Sequence, residues 1–348
     1  MKIFNLIPFF MAFIVTLGVT PGVKRIALIL KILDHPEERK IHHHPTPLLG
    51  SIAVYLGFLV GLFFSGFNPS LHQELLVFLS AATLLLVVGV LDDAGFLHPQ
   101  IKLMGAMPVA GLILIYFDLG LKVFPFQFLN YFFTLFWIVG ITAAYNLLDG
   151  MDGLSTGVCL IASIFYLLFG IATGDLLLIW IASSLGGACL AFLIYNFHPA
   201  KIFLGDSGAI LLGFLLASMG LRVANNESLP VLTRWMFPIL ILCVPIFDTS
   251  LITFSRLRRG LVPFLTPGKD HSHHRLFNLG LGQRKAVLIL YGLGLVGGFL
   301  SLAIYPMIPF FGYLFFGFLI FGGVGLIFLF EKFPYERQEL SSIKNQPS

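Results

Sequence analysis

The sequence predicts an all-α, polytopic integral membrane protein with about eleven transmembrane helices, and three observations carry that prediction. The 348 residues are 57% hydrophobic and 11% charged, with a mean hydropathy of +0.94, which leaves too few polar groups to cover a water-exposed globule. Eleven apolar runs follow one another, each about long enough to cross a hydrocarbon core of roughly 30 Å as a helix. The basic residues are also sorted by loop. With the N-terminus outside, only Lys2, Lys122, Arg222 and Arg234 of the 21 Lys and Arg fall on the outer side, and 17 fall inside. Basic loops are retained in the cytoplasm, so an outer N-terminus is expected.

The first run, 3–20, follows Lys2 as a signal peptide would, but no small-residue cleavage pattern comes after it and ten further runs do. It is read as the first span. In the loop that follows, 21–49, Val23, Ile26, Ile29, Leu30 and Leu33 recur at helical spacing beside Lys24, Arg25 and Lys31, which predicts an interfacial helix. Such a basic, proline-stiffened connector suits anionic lipid head groups. Spans are then expected near 50–66, 74–91, 101–117, 128–146, 155–173, 176–195, 208–221, 235–255, 286–305 and 308–330. The 36 Gly fit close helix approach and the 38 Phe fit lipid-facing surface. Residues 1–348 are expected to form one transmembrane domain, with inner loops 21–49, 92–100, 147–154, 196–207 and 256–285 and an inner tail 331–348. Cys159, Cys189 and Cys243 fall inside apolar runs without a CxxC spacing, so they are read as packing residues. The net charge of +4 is organised by loop and is no nucleic-acid signal.

The chemistry gathers where spans meet the inner side. The third span ends in Leu91-Asp92-Asp93, and Lys102 opens the fourth. Two carboxylates at a helix end are costly near hydrocarbon unless a cation uses them, although a solvated terminus would look the same. Asn146, Asp149 and Asp152 close the fifth span at i, i+3 and i+6, sharing roughly one helix face, with Gly150 and Gly153 permitting a tight turn. The spacing is not that of an EF-hand calcium loop. Gly205-Asp206-Ser207-Gly208 opens the eighth span and offers backbone N–H groups, a carboxylate and a hydroxyl within one turn, as a phosphate with its metal needs; an ordinary helix N-cap also fits. The ninth span carries Pro245 and Asp248, and the loop after it reads Lys269-Asp270-His271-Ser272-His273-His274-Arg275. Anion contact suits these histidines better than zinc, whose paired ligands prefer i, i+4 spacing or a supporting carboxylate. Seven of the 17 acidic residues and nine of the ten histidines lie at inner helix ends or inner loops. Acids gathered beside Lys and Arg at a lipid surface fit a highly anionic ligand that arrives with a hard cation.

From about Asp34 to about Lys285 the chain resembles the polyprenyl-phosphate N-acetylhexosamine 1-phosphate transferases, a superfamily that also holds the phospho-N-acetylmuramoyl-pentapeptide translocase. The residues that carry the resemblance are Arg39-Lys40 with His42 and Pro47, Leu91-Asp92-Asp93, Asn146 through Gly153, Phe203 through Gly208, Pro245 with Asp248, and His271 through Arg275. It implies transfer of a sugar 1-phosphate from a UDP-sugar to undecaprenyl phosphate at the cytoplasmic face of a bacterial inner membrane. UMP would be released, Mg²⁺ or alternatively Mn²⁺ would assist, and a homodimer is compatible. It further implies Asn146 and Asp206 at the metal, Phe203 on the uracil, Asp149 and Asp152 lining the nucleotide pocket, and Lys40 and Ser207 among the substrate contacts. Asp92 and Asp93 would face the lipid phosphate, with Lys102 steadying its charge. His271, His273, His274 and Arg275 would close over the sugar phosphate. A phosphate monoester is mostly dianionic at pH 7, so a base role for Asp92 or Asp93 is not required. A two-step path through an aspartyl phosphate on Asp206 or Asp93 stays open. Ser51 stands where the family often has glycine, and Ser272 where it usually has an aliphatic residue. The Arg39-Lys40 loop and the histidine string point to the branch that starts O-antigen, teichoic acid or related glycans, with N-acetylglucosamine as the expected sugar. The peptidoglycan-type translocase is the alternative, and a cation-coupled transporter a distant one, since mid-span charges are scarce.

Overall fold

The computed structural model describes residues 6–35, 45–66, 69–97, 102–263, 268–305, 307 and 309–335, the side chains of 69, 70, 102, 103 and 231–233 excepted. Arg39, Lys40 and His42 therefore lie outside the described residues, as does the side chain of Lys102. Helix α1 runs from Ile7 to Ile29 and contains Pro21. A proline inside a helix leaves the carbonyl four residues back without its N–H, here that of Leu17. The Tyr195 hydroxyl donates to that carbonyl at 3.0 Å. The expected first span and the expected interfacial helix are thus one continuous helix, because a neighbouring side chain satisfies the group that proline frees. The helix stops where Lys31 turns left-handed, with φ of 56°. A short hairpin follows, β1 (Leu33–Asp34) antiparallel to β2 (Thr46–Pro47), with Leu33 opposite Pro47.

The remaining elements are α2 (Gly50–Phe63), α3 (Pro69–Asp93), α4 (Met107–Tyr116) entered through a π-helical turn at Lys102–Ala106, α5 (Gln127–Leu148), α6 (Leu154–Thr173) and α7 (Leu176–Asn196). Then come α8 (Asp206–Ala224), α9 (Val231–Ile241), α10 (Cys243–Arg258), α11 (Ser272–Leu276), a π-helical turn at Phe277–Leu281, α12 (Gly282–Ile304) and α13 (Pro309–Phe330). Every apolar run of the sequence falls on a helix or a bent pair. Among the described residues, eight helices are long and apolar enough to cross a membrane; α9 and α10, bent by 77°, form a ninth candidate, and α2 and α4 are shorter. The chain is a multi-pass, all-α membrane protein. The ninth run, expected as one helix, is the bent pair, with Pro238 and Pro245 on either side of the break.

Helix α8 is the axis of the bundle. All its residues but Asp206 and Arg222 are buried, and it packs chiefly on α3 and α5, with α2, α6 and α9 beside it. Small residues make that approach possible: a Cβ on Gly213 would lie 2.8 Å from Tyr145 and 2.9 Å from Thr142 of α5. The Trp137 indole N–H adds a hydrogen bond to the Ala217 carbonyl at 2.8 Å. At the far end of α8, Arg222 reaches both Asp175 (2.6 Å) and Glu74 (2.7 Å), tying α8 to α7 and α3. Helix α13 is the opposite case. Only Gly312 and Phe330 are buried along its 22 residues, as suits a phenylalanine-rich helix that faces lipid.

Candidate active site

The start of α8 is built from three other elements. Gly205, its N-cap, takes φ of 81° and ψ of 165°, a conformation essentially restricted to glycine. A Cβ there would lie 2.4 Å from the carboxylate of Asp93. That carboxylate accepts hydrogen bonds from the backbone N–H of Asp206 (2.8 Å), the backbone N–H of Ser207 (3.2 Å) and the Ser207 hydroxyl (2.5 Å). Asp93, from the end of α3, thus caps α8, favoured also by the helix dipole. The N–H groups of Asp206 and Ser207, expected to be free for a phosphate, are committed to Asp93 instead. Ser207 is fully buried, and its hydroxyl lies 2.6 Å from that of Ser51 on α2. The segment before α8 is clipped to the β2–α2 corner: Phe203 N–H donates to the Pro47 carbonyl, and Gly50 and Ser51 donate to the carbonyls of Phe203 and Leu204 at 3.0 and 3.1 Å. A Cβ on Gly50 would lie 2.6 Å from the Phe203 carbonyl oxygen, so only glycine permits this approach. The half-buried Phe203 is therefore fixed through its backbone.

The end of α5 meets this corner. The Asn146 amide donates to Asp206 Oδ1 at 3.3 Å. Asp149, the C-cap of α5, accepts from the Ser155 hydroxyl at 2.5 Å. Burial pushes the Asp149 carboxyl up to about 7, against the lowering effect of Ser155, and the negative charges of Asp206, Asp93 and Asp152 add to the rise. Asp152 turns to the loop after α7, accepting from the Ala200 N–H at 3.0 Å and lying 2.8 Å from His198 Nδ1. Asp92 sits beside Asp93 on α3 and is half-buried.

The histidine string arrives from the other side through Asp248. This fully buried carboxylate lies 2.7 Å from His271 Nδ1 and accepts from the Ser272 N–H and hydroxyl at 2.7 and 2.6 Å. It fixes the first turn of α11 and so aims the next residues. His273 is 1% exposed, and neither of its ring nitrogens has a hydrogen-bond partner among the described residues. Its Nε2 faces Gly150, where an added Cβ would come within 2.4 Å. The imidazole therefore abuts the Asp149-Gly150 turn. The half-buried His274 ring lies 4.4 Å from that of His273, centroid to centroid. Asp248, His271 and His273 present ligand atoms within 4.8 Å of one another, while Asn146, Asp149 and Asp206 supply oxygen donors.

Arg275 is placed differently from the expectation that it closes over a sugar phosphate. It is fully buried, donates to the Asp270 and Phe330 carbonyls, pairs with Glu331 at 2.8 Å and stacks 3.9 Å over the Tyr335 ring. It anchors the end of α13. Behind it, Asp270 bridges Arg256 (2.7 Å) and Arg259 (2.5 Å). Burial opposes the Asp270 charge, but the Arg256 hydrogen bond and charge outweigh it and hold the carboxyl below the usual range. Ser51 and Ser272, the two departures from the family pattern, are both fully buried and spent on internal hydrogen bonds. Sequence reasoning named Asp248, Ser51 and Gly205 without giving any of them a role of its own, and it did not single out Ser155. Asp248 had a signal: it is an acid well inside an apolar run.

Helix ends from α3, α5, α8 and the α10–α11 corner thus meet at one end of a membrane bundle, bringing acids, an amide and histidines together. That defines a class of multi-pass membrane protein with a polar site at its surface. A family model described as glycosyl transferase family 4 matches residues 75–224. A probable undecaprenyl-phosphate N-acetylglucosaminyl 1-phosphate transferase of Bacillus subtilis is 35% identical over 303 residues, covering 83% of this chain and 82% of the relative. A decaprenyl-phosphate N-acetylglucosaminephosphotransferase of Mycolicibacterium smegmatis is 31% identical, covering 80% of this chain and 77% of its own length. An undecaprenyl-phosphate alpha-N-acetylglucosaminyl 1-phosphate transferase of Escherichia coli K12 is 27% identical, with coverages of 77% and 75%. The chain belongs to the polyprenyl-phosphate N-acetylhexosamine 1-phosphate transferase family.

Proposed function

We propose that this protein transfers N-acetylglucosamine 1-phosphate from UDP-N-acetylglucosamine to undecaprenyl phosphate at the cytoplasmic face of a bacterial inner membrane, releasing UMP, as the first step of a lipid-linked glycan. The observation that carries this reading is the meeting of Asp93, Asn146, Asp149 and Asp206 from three separate helices at one end of the bundle. The names of the relatives support the sugar, since each couples a polyprenyl phosphate with N-acetylglucosamine and none with a muramoyl pentapeptide. The basic inner loops support eleven spans with the N-terminus outside.

The residues fit a hard divalent cation such as Mg²⁺. Their donors are carboxylate and amide oxygens, and Asp149 lies among the negative charges of Asp206, Asp93 and Asp152, which a dication would offset. When bound, Mg²⁺ would neutralise diphosphate charge. Asn146 and Asp206 would hold it, with Asp149 beside them. Phe203 would stack on the uracil, and Asp152 would line the nucleotide pocket through the loop it braces. Asp93 keeps α8 in place, so positioning is the role its three hydrogen bonds support, and Asp92 is left to face the lipid phosphate with Lys102. His273 and His274 would contact the sugar phosphate beside Gly150. An oxygen of the lipid phosphate bonds to the β-phosphorus as the bond from that phosphorus to the bridging oxygen breaks, and UMP leaves with the bridging oxygen. No proton has to move, because the attacking phosphate is already mostly dianionic. The enzyme's contribution is alignment and charge compensation.

The test compares donors. Purified protein with undecaprenyl phosphate is expected to release UMP from UDP-N-acetylglucosamine and not from the UDP-muramoyl pentapeptide. Release from the pentapeptide alone would assign the translocase activity instead.

A further inference from the structure

A second candidate site lies outside the acid cluster. Between the end of α1 and the segment that follows α7 is a cavity of about 370 Å³, lined by Pro21, Lys24, Arg25, Leu28, Tyr195 and Lys201 among others. The volume is within the roughly 300–1,000 Å³ usual for ligand sites. Three cations converge on it, and no carboxylate pairs with Lys24, Arg25 or Lys201 among the described residues. The cavity is built rather than accidental. The Tyr195 hydroxyl is held on the Leu17 carbonyl that Pro21 leaves open, and the Lys201 N–H is held on the Tyr195 carbonyl at 2.8 Å. Leu28 of the lining is 48% exposed, and its neighbours Ile26 and Ile29 on α1 are 51 and 78% exposed. A largely apolar cavity with Lys24, Arg25 and Lys201 among its lining, at the end of a membrane helix, matches a lipid that carries acyl chains and an anionic head group.

We infer that this cavity binds the phosphate of an anionic phospholipid, with Lys24, Arg25 and Lys201 on the head group and the acyl chains along the exposed face of α1. The lipid belongs to the leaflet on the side of the acid cluster. Lys201 precedes Phe203 by two residues, and the Phe203 N–H is held by Pro47 at the end of the hairpin into which α1 leads. A head group bridging Lys24, Arg25 and Lys201 would therefore link α1 to the segment that carries Phe203. Arginine supplies paired N–H donors to phosphate oxygens, and the two lysines supply point charges.

Native mass spectrometry of the full chain in detergent, with added dioleoylphosphatidylglycerol or dioleoylphosphatidylcholine, tests the site without reference to turnover. One phosphatidylglycerol is expected to be retained at least tenfold better than phosphatidylcholine. The K24Q/R25Q/K201Q variant is expected to lose that preference at least tenfold, and K24R/R25K/K201R to keep it. A control with the same charge removed elsewhere, R258Q/K285Q/K332Q, is expected to retain the lipid. Equal loss in the control would reveal diffuse attraction only and overturn the inference, as would unchanged retention in K24Q/R25Q/K201Q. Displacement by millimolar glycerol phosphate would mean a site for free phosphate, and displacement by equimolar undecaprenyl phosphate a site for the acceptor; either overturns it. UMP release by K24Q/R25Q/K201Q in phosphatidylcholine nanodiscs is expected to match the unsubstituted chain, and loss of that turnover would place the cations in the transferase site and contradict the assignment.

Discussion

Gly205 shows how little freedom the site has at the level of single residues. Its backbone occupies a region essentially closed to other residues, and its missing Cβ is the space that the Asp93 carboxylate fills. G205A is expected to cost about 2 kcal/mol or more from backbone strain alone, and to release Asp93 from the start of α8. Chemical denaturation of the detergent-solubilised protein checks the first effect and UMP release the second; a variant as stable and as active as the original would refute the role given to Asp93. Phe203 allows a cleaner separation, because the hydrogen bonds that clip its loop are made by its backbone. Replacing the ring in F203A should weaken UMP binding by about tenfold, in line with the roughly 0.5–1.5 kcal/mol of an aromatic stacking pair. Calorimetric titration with UMP reads this directly, and an unchanged affinity would remove the uracil from Phe203.

At the level of elements, the helices were legible because apolar runs of membrane length leave few alternatives, and each run fell on helix, the ninth on a bent pair. What was not legible depended on partners distant in sequence. Pro21 looks like a boundary until Tyr195, 174 positions later, satisfies Leu17, and the four residues of Gly205 through Gly208 look like an open anion site until Asp93 takes the N–H groups. Arg275 reads as a phosphate ligand until Glu331 claims it. The gathering of Asn146, Asp149 and Asp206 was legible as a group, since helix ends carrying acids beside basic loops have few other uses. The α10–α11 connection carries its own test. Asp270 lies between Arg256 and Arg259, with Arg256 2% exposed, so D270N would strand a buried guanidinium and is expected to destabilise the protein by roughly 3–5 kcal/mol. The folded-state pKa of Asp270 is lowered, so its contribution is present above the ordinary carboxylate range near 4 and is lost as pH falls through the lower folded value. Unfolding midpoints recorded from pH 6 down to pH 3 should fall more steeply in the original protein than in D270N; parallel curves would refute the account.

The whole molecule is a bundle with its acid cluster gathered at one end. Asp93 and Asp149 close α3 and α5, and Asp206 opens the oppositely directed α8, so all three sit at the same end. The opposite end carries Arg222, Asp175 and Glu74, an ion-paired staple. The bent α9–α10 pair is a feature that a transporter would share, but the acid beyond the break, Asp248, is spent on His271 and Ser272. The basic loops predict an outer N-terminus, and cysteine labelling can read it. In a background lacking Cys159, Cys189 and Cys243, K285C should react with a membrane-impermeant maleimide only after the cytoplasmic face is opened, and K122C should react in intact cells; the reverse pattern would invert the topology. The central claim is that acids from separate helices hold a divalent cation against two phosphate-bearing reactants. UMP release by the purified chain, supplied with UDP-N-acetylglucosamine and undecaprenyl phosphate, measures it most directly. Release should require Mg²⁺, stop with EDTA, and be absent in both D206N and N146A while these variants remain folded; release that ignores the chelator or persists in either variant would contradict it.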